Sequence, residues 1–291
     1  MCGIVGLFLK DRSLEPQLGR LLAGMLEVMT DRGPDSAGFA VYGAGDAAHV
    51  KLTLRGPRLE DVASALAADA NVVVRDTHAV VRVPTDKEEM VRGWLALNRP
   101  DIVVIGAGSR IELYKEVGLP ATVADRFGLS GMAGSHGIGH TRMATESAVT
   151  TDGAHPFSTG PDQCLVHNGS LSNHRSLRRM LEPCGIQFVT DNDSEVAAGY
   201  LTWKLREGLS LKEALEAGLE ELDGFYTLVV GTANGFAVLR DPVSCKPAVL
   251  AETDQYVAFG SEYRALVGLP GIEQATVFEP EPARVYAWER N

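Results

Sequence analysis

Five positions in this chain carry residue types that together can cleave an amide. Cys2 follows the initiator Met, and a small second residue is what an aminopeptidase that removes Met1 accepts. Once trimmed, Cys2 carries a thiol and a free α-amine on one residue. An α-amine titrates near ~7.7–8.0 and a thiol near ~8.5, so one can take the proton of the other at neutral pH. That is the logic of an N-terminal nucleophile, whose own amine is the adjacent base. The plainer reading of Met-Cys-Gly is the start of a buried strand. Asn168-Gly169, taken as a tight turn after a strand, offers a side-chain amide and a backbone N–H for a tetrahedral oxyanion, although an Asn-Gly turn is common in its own right. Arg142, at a strand end among small polar residues, suits a bidentate grip on a carboxylate. Alone it reads more often as a surface ion pair. Asp193 can receive an ammonium or merely cap a helix. A carboxylate grip and an ammonium grip define an α-amino acid, and the thiol with its oxyanion donors adds a cleavable side-chain amide. Glutamine fits, and asparagine is not excluded by residue types.

Composition narrows the setting. The chain has 291 residues, 45% of them apolar, enough for one large domain or two small ones. A formal charge of −11 and a pI near 5.1 argue against a nucleic-acid partner. The four cysteines, Cys2, Cys164, Cys184 and Cys245, are widely spaced. They suit neither a disulfide framework nor a metal or iron–sulfur site, which predicts a protein of the reducing cytoplasm with no metal. No charged-then-apolar leader opens the chain, and no apolar run reaches the ~20 residues a membrane helix needs.

The elements that must position these residues follow from periodicity. Gly3 to Leu9 reads as a buried strand, and Leu18, Leu21, Leu22, Met25, Leu26 and Met29 as one helix. Thr30 to Gly38 is turn-rich, and its Arg32, Asp35 and Ser36 either brace that turn or support Cys2 from behind. Asn71 to Val83 predicts two short strands. Thr85 with Glu88 reads as a capping box opening a helix. Asp101 to Ile105 predicts a strand leading into a Gly-Ala-Gly-Ser turn, which lacks the rest of a phosphate-loop fingerprint. Ser172 to about Glu182 predicts a helix, and Ser210 with Glu213 caps another. Phe225 to Gly260 reads as a meander of four strands.

Cys2-Gly-Ile-Val-Gly, Arg32-Gly-Pro-Asp-Ser, His140-Thr-Arg142, His167-Asn168-Gly169 and Asp193-Ser-Glu195 resemble, in order, the motifs of class II glutamine amidotransferases. Arg240-Asp-Pro, Lys246-Pro and Phe259-Gly-Ser-Glu262 resemble the end of the same domain. The resemblance implies an α+β fold, the four-layer αββα sandwich of N-terminal nucleophile hydrolases. It implies Cys2 as nucleophile and base, Asn168 and Gly169 as the oxyanion hole, and Arg142 with Thr145 on the substrate carboxylate. Asp193 would take the amine, with Arg32, His140 and His167 in support. Residues 1–291 then form one amidotransferase domain with a small α/β lobe inserted at roughly 55–130, longer than the family usually carries there. The synthase domain to which the family is usually fused is not in this sequence. Chains of this kind resemble the amidotransferase subunit of glutamate synthase-like assemblies, including N-methylglutamate synthase. The implied partners are L-glutamine and synthase subunits of a hetero-oligomer, with flavin and iron–sulfur clusters on those subunits and no cofactor in this chain. Two other readings stand beside this one. One is a non-catalytic structural or regulatory subunit that keeps the fold. The other is a hydrolase of other amides, disfavoured because Arg142 and Asp193 would both face an unmatched substrate.

Overall fold

The computed structural model describes residues 2–144 and 148–290. The first third holds β1 (Gly3–Leu9), α1 (Leu18–Val28), β2 (Ser36–Tyr42), β3 (His49–Arg55), α2 (Leu59–Leu66), β4 (Asn71–Arg75), β5 (His78–Pro84) and α3 (Glu88–Asn98). Next come β6 (Val103–Gly108), β7 (Ile111–Val117), α4 (Pro120–Phe127), β8 (His136–Arg142), β9 (Phe157–Gly160), β10 (Gln163–Leu171) and α5 (His174–Leu181). The last are α6 (Asp193–Arg206), α7 (Leu211–Glu221), β11 (Gly224–Gly231), β12 (Gly235–Arg240), β13 (Val249–Glu252), β14 (Tyr256–Gly260), β15 (Thr276–Phe278) and β16 (Val285–Glu289).

Two antiparallel sheets lie face to face. One runs β15-β13-β14-β1-β8-β2-β7 and the other β16-β12-β11-β10-β9. The two-residue period of β1 shows how the layers form. Val5, Leu7 and Leu9 join Leu18, Leu22, Leu26 and Phe127 of α1 and α4 in one core. Ile4 and Phe8 point the other way, into an inter-sheet core with Val166, Phe236 and Val238. A strand apolar on both faces belongs at the middle of a sandwich. The far face of the second sheet carries α5, α6 and α7 through Leu165, Leu228, Leu181, Val196, Leu201 and Leu215. The result is the αββα sandwich of the N-terminal nucleophile hydrolases. Ser194 to Thr202 of α6 are all buried, which is why that helix shows no clean amphipathic stripe.

A third sheet, β4-β5-β3-β6, closes its own core with α2 and α3 around Leu52, Leu54, Val62, Val81, Val91 and Leu95. It spans 49–108, whereas β7 and α4 belong to the main sheet and its helical cover. Side chains tie it to the sandwich: Lys51 to Glu112 at 2.8 Å, Thr77 to Glu116 at 3.1 Å, and Arg55 to Asp152.

Four local expectations are corrected. Asn168-Gly169 is not a tight turn but lies inside the nine-residue β10, paired with β11 from Cys164 to Leu171. Gly106-Ala107-Gly108 continues β6 rather than turning, since Lys51 to Thr53 of β3 supply ladder partners there. Thr85 forms no capping box, because its hydroxyl donates to the Ala47 carbonyl and Glu88 pairs with Arg92. The supposed meander divides between the sheets, β11 and β12 in one and β13 and β14 in the other. At Ser210 the capping box does form, with the Glu213 carboxylate accepting from the Ser210 N–H at 2.8 Å.

Candidate active site

Cys2 stands at the head of β1, the strand clamped between β8 and β14. Ile4 and Ser261 exchange two hydrogen bonds of 2.9 Å, one through the Ser261 hydroxyl, and pin the start of the strand. The Cys2 carbonyl accepts from Arg32 Nε at 3.0 Å and Asn168 Nδ2 at 3.2 Å. Arg32 is itself held by Glu262 at 2.6 Å, and Glu262 by Arg264 at 2.6 Å. The hydrogen bond from Arg32, with the charge of Arg264, holds the Glu262 carboxyl below its ordinary value. Arg32 thus reaches from its turn to the Cys2 main chain. Gly33 lets the following turn press onto β8, since a Cβ there would lie 2.4 Å from the Thr141 carbonyl carbon. Asp35 then pins the loop after β8, donating its N–H to the Arg142 carbonyl at 3.1 Å and accepting from the Ala144 N–H at 2.8 Å.

Cys2 opens into a cavity of about 890 Å³ whose walls include Arg142, Asn168, Gly169 and Asp193. The structure thus brings together the five residues singled out for chemistry. Thr145 lies outside the described residues. Asn168 and Gly169 come from β10, and at Gly169 the strand adopts φ 153°. Tyr226, opposite Gly169, gives both its backbone groups to Asp241, so the Gly169 N–H is not consumed by the β10–β11 ladder. The cap of α6 is Asn192, whose side chain accepts from the Ser194 N–H at 2.9 Å. That leaves Asp193 at the first helical position, with one carboxylate oxygen accepting from the Leu171 N–H at 2.9 Å. Arg142, at the end of β8 and 6% exposed, donates to the Ala148 carbonyl at 3.3 Å.

His167 lines the cavity and His140 sits against it, both without charge. His167 Nδ1 lies 2.8 Å from the Ser194 hydroxyl, and the His167 carbonyl accepts from His140 Nε2 at 3.1 Å. The His140 ring stacks on His155 with centroids 4.0 Å apart. Burial pushes His140 down to about 3 and lowers His155 and His167 as well. All three are therefore neutral near pH 7. Residues that sequence reasoning did not single out also line the cavity: His155, Ser170, His174, Thr190, Phe225 and Lys246. Lys246 Nζ lies 5.0 Å from the Phe225 ring centre. Its one signal in the sequence was the Lys-Pro pair closing the loop after β12. Among the described residues no group of His, Cys, Asp or Glu is arranged to hold a metal ion, and no helix is long and apolar enough to cross a membrane.

A Rhizobium meliloti protein described as glutamine amidotransferase-like protein GlxB is 61% identical over 99% of this chain and 98% of its own length. The chain belongs to the class II glutamine amidotransferases. It is an enzyme of that class, and the profile of a glutamine amidotransferase domain matches its residues 140–268. The glutamine–fructose-6-phosphate aminotransferase of Vibrio cholerae is 35% identical over 51% of this amidotransferase and 24% of its own length. In fold, the B. subtilis glutamine phosphoribosylpyrophosphate amidotransferase matches 99% of this chain and 47% of its own, with a TM-score of 0.64 at 20% identity.

Gly169 gives the amidotransferase a prediction of its own. A Cβ there would lie 1.9 Å from the Phe225 carbonyl oxygen, on a backbone that L side chains rarely adopt. Gly169→Ala is expected to cost at least about 3 kcal/mol of stability, through strain that neither strand can relieve alone. A urea melt checks it, and an unchanged midpoint would contradict the geometry.

Proposed function

We propose that this amidotransferase hydrolyses the side-chain amide of L-glutamine through a thioester on Cys2. Removal of Met1 exposes the Cys2 amine, which takes the thiol proton as sulfur attacks the amide carbon. The oxyanion that forms is met by the Asn168 amide and the Gly169 N–H. The Cys2 ammonium then returns the proton to the departing nitrogen, which leaves as ammonia, and a γ-glutamyl thioester remains. Water, deprotonated by the same amine, attacks the thioester and releases glutamate, restoring the thiol. Arg142, with Thr145, holds the substrate carboxylate, and Asp193 holds its ammonium. The single observation that carries this reading is the convergence of Cys2, Asn168, Gly169, Arg142 and Asp193 on one cavity.

The ammonia is passed to a synthase on other polypeptides, in a glutamate synthase-like or N-methylglutamate synthase complex. Flavin and iron–sulfur clusters reside on those subunits and none in this chain. Support for this finer reading is the motif resemblance and the separate lobe at 49–108, which offers surface outside the sandwich. The net charge of −11 and four free cysteines fit a cytoplasmic setting.

Intact-protein mass before and after incubation with diazo-oxo-norleucine, a glutamine analogue that alkylates nucleophiles, tests the site. The expected result is a starting mass lacking Met1, then one adduct mapping to Cys2. Retained Met1 would remove the base from the mechanism. Labelling at Cys164, Cys184 or Cys245 instead would place the nucleophile elsewhere. Trimmed, unlabelled protein that stays unlabelled beside its co-purified subunits would favour the non-catalytic subunit.

A further inference from the structure

Lys115 lies on β7 and is 5% exposed, yet among the described residues its ammonium forms no ion pair with a carboxylate. It donates to two main-chain carbonyls instead, Asp152 at 3.1 Å and Ala154 at 2.8 Å, and sits 4.3 Å from the centre of the Phe157 ring. Desolvating a lysine for two carbonyls and a ring face is an expensive way to build a fold, since an apolar residue of similar length would fill the space without that cost. What the two carbonyls have in common is Gly153, the residue between them. Gly153 lines the cavity and lies against Arg142, close enough that a Cβ on it would be 3.2 Å from Arg142 Nη1. The same segment contributes Ala148, Thr150 and His155 to the cavity wall, and the inserted lobe grips it from outside through Arg55 on Asp152.

We infer that Lys115 is a positioning residue: it draws the Asp152 and Ala154 carbonyls inward and so sets the wall, Gly153 above all, against which the Arg142 guanidinium is aimed. This rests on the reading of Arg142 as the grip on the glutamine carboxylate. A positioning role at that end of the substrate acts on binding more than on the chemical step. Lys115 therefore governs KM, while the thiol, amine and oxyanion donors govern kcat.

The charge of Lys115 is labile. Burial pushes it down to about 8, opposed by Glu195 of α6 and by Asp152, with Arg55 of β3 adding to the fall. His78 of β5 and His155 also face it, both kept neutral by burial. The ammonium is thus present below about pH 8 and lost as pH rises through that value, and the grip on the carbonyls goes with it.

The test is steady-state glutamine hydrolysis, together with the half-saturating concentration of diazo-oxo-norleucine for Cys2 labelling. Both are measured on the full-length wild type, Lys115→Met and Lys115→Arg from about pH 6.5 to pH 9.5. Lys115→Met is expected to raise KM and the half-saturating label concentration about tenfold at pH 7, with kcat within about threefold. In wild type both quantities climb above about pH 8, a limb that Lys115→Met lacks and Lys115→Arg restores to the low value throughout. A folded Lys115→Met with unchanged KM and label saturation overturns the inference. Should that variant not fold, Lys115→Gln takes its place, and a folded Lys115→Gln with unchanged KM and label saturation overturns it equally. Wild-type protein that neither hydrolyses glutamine nor labels at Cys2, alone or with its subunits, fails the underlying reading instead.

Discussion

Cys2→Ala is expected to lower glutamine hydrolysis on the order of 10⁴-fold or more while leaving the melting temperature within about 2 °C of wild type. The two halves of that statement come from different atoms. Chemistry needs the sulfur, for which alanine has no substitute. The structural role of residue 2 falls on its carbonyl, which accepts from Arg32 at 3.0 Å and Asn168 at 3.2 Å, and alanine keeps that carbonyl. The side chain is only partly buried, so truncating it opens little cavity. Alanine is also small enough for Met1 to be trimmed, so the variant differs in the thiol alone. Ammonia release in a coupled assay and a thermal melt on the same preparation check both halves. Hydrolysis that survives in Cys2→Ala would remove the thioester mechanism whatever the melt shows.

Asn168→Ala is expected to reduce kcat by about 10²–10³ with KM within about threefold, the usual loss when one oxyanion donor is removed. Asn168 differs from a simple donor because its amide also touches the Cys2 carbonyl. An amide nitrogen carries two N–H groups, and that carbonyl takes one. Removing the side chain therefore loosens the nucleophile's backbone as well as the oxyanion site. Arg32 limits the first effect, since it holds the same carbonyl and is fixed by Glu262. Asn168→Ala with Arg32 intact should then look like a loss of transition-state stabilisation. A change confined to KM would assign Asn168 to substrate binding instead. Comparing single-turnover labelling by diazo-oxo-norleucine with steady-state hydrolysis separates the attack step from thioester breakdown, and both are expected to slow.

Much of this site was written in residue types that few other roles explain together. Cys2 beside the initiator Met, an Arg at a strand end and an acid at a helix start each have plain readings, and only their combination singles out an amino-acid amide. Asp193 shows why. Its plain reading was a helix cap, and the structure gives the cap to Asn192, one residue earlier, with Asp193 set at the cavity. Periodicity located β1 from Gly3 to Leu9 and α1 from Leu18, because buried strands and amphipathic helices leave local patterns. What stayed hidden was non-local. Asn-Gly signals a turn by short-range propensity, but pairing with β11 some sixty residues away overrides it, and Gly169 serves an extended, left-handed bend within a strand. The split of β11–β14 between two sheets leaves no local trace, since alternation looks alike in either. No motif or spacing marked Lys115, and only tertiary structure shows that it faces inward.

The place of β1 between β8 and β14 also orders events on the ribosome. One neighbour is complete at Arg142 and the other only at Gly260. At about 5–20 residues per second, the strand that bears Cys2 waits roughly ten to fifty seconds after its own synthesis for its second partner. Ser261 and Glu262, which fix Ile4 and Arg32, arrive later still. Throughout that interval the end of the chain is exposed to the aminopeptidase that the proposed mechanism requires. In the proposed mechanism, the bond to be trimmed is therefore accessible before the second neighbour of β1 exists, so removal of Met1 need not wait for the sheet to close.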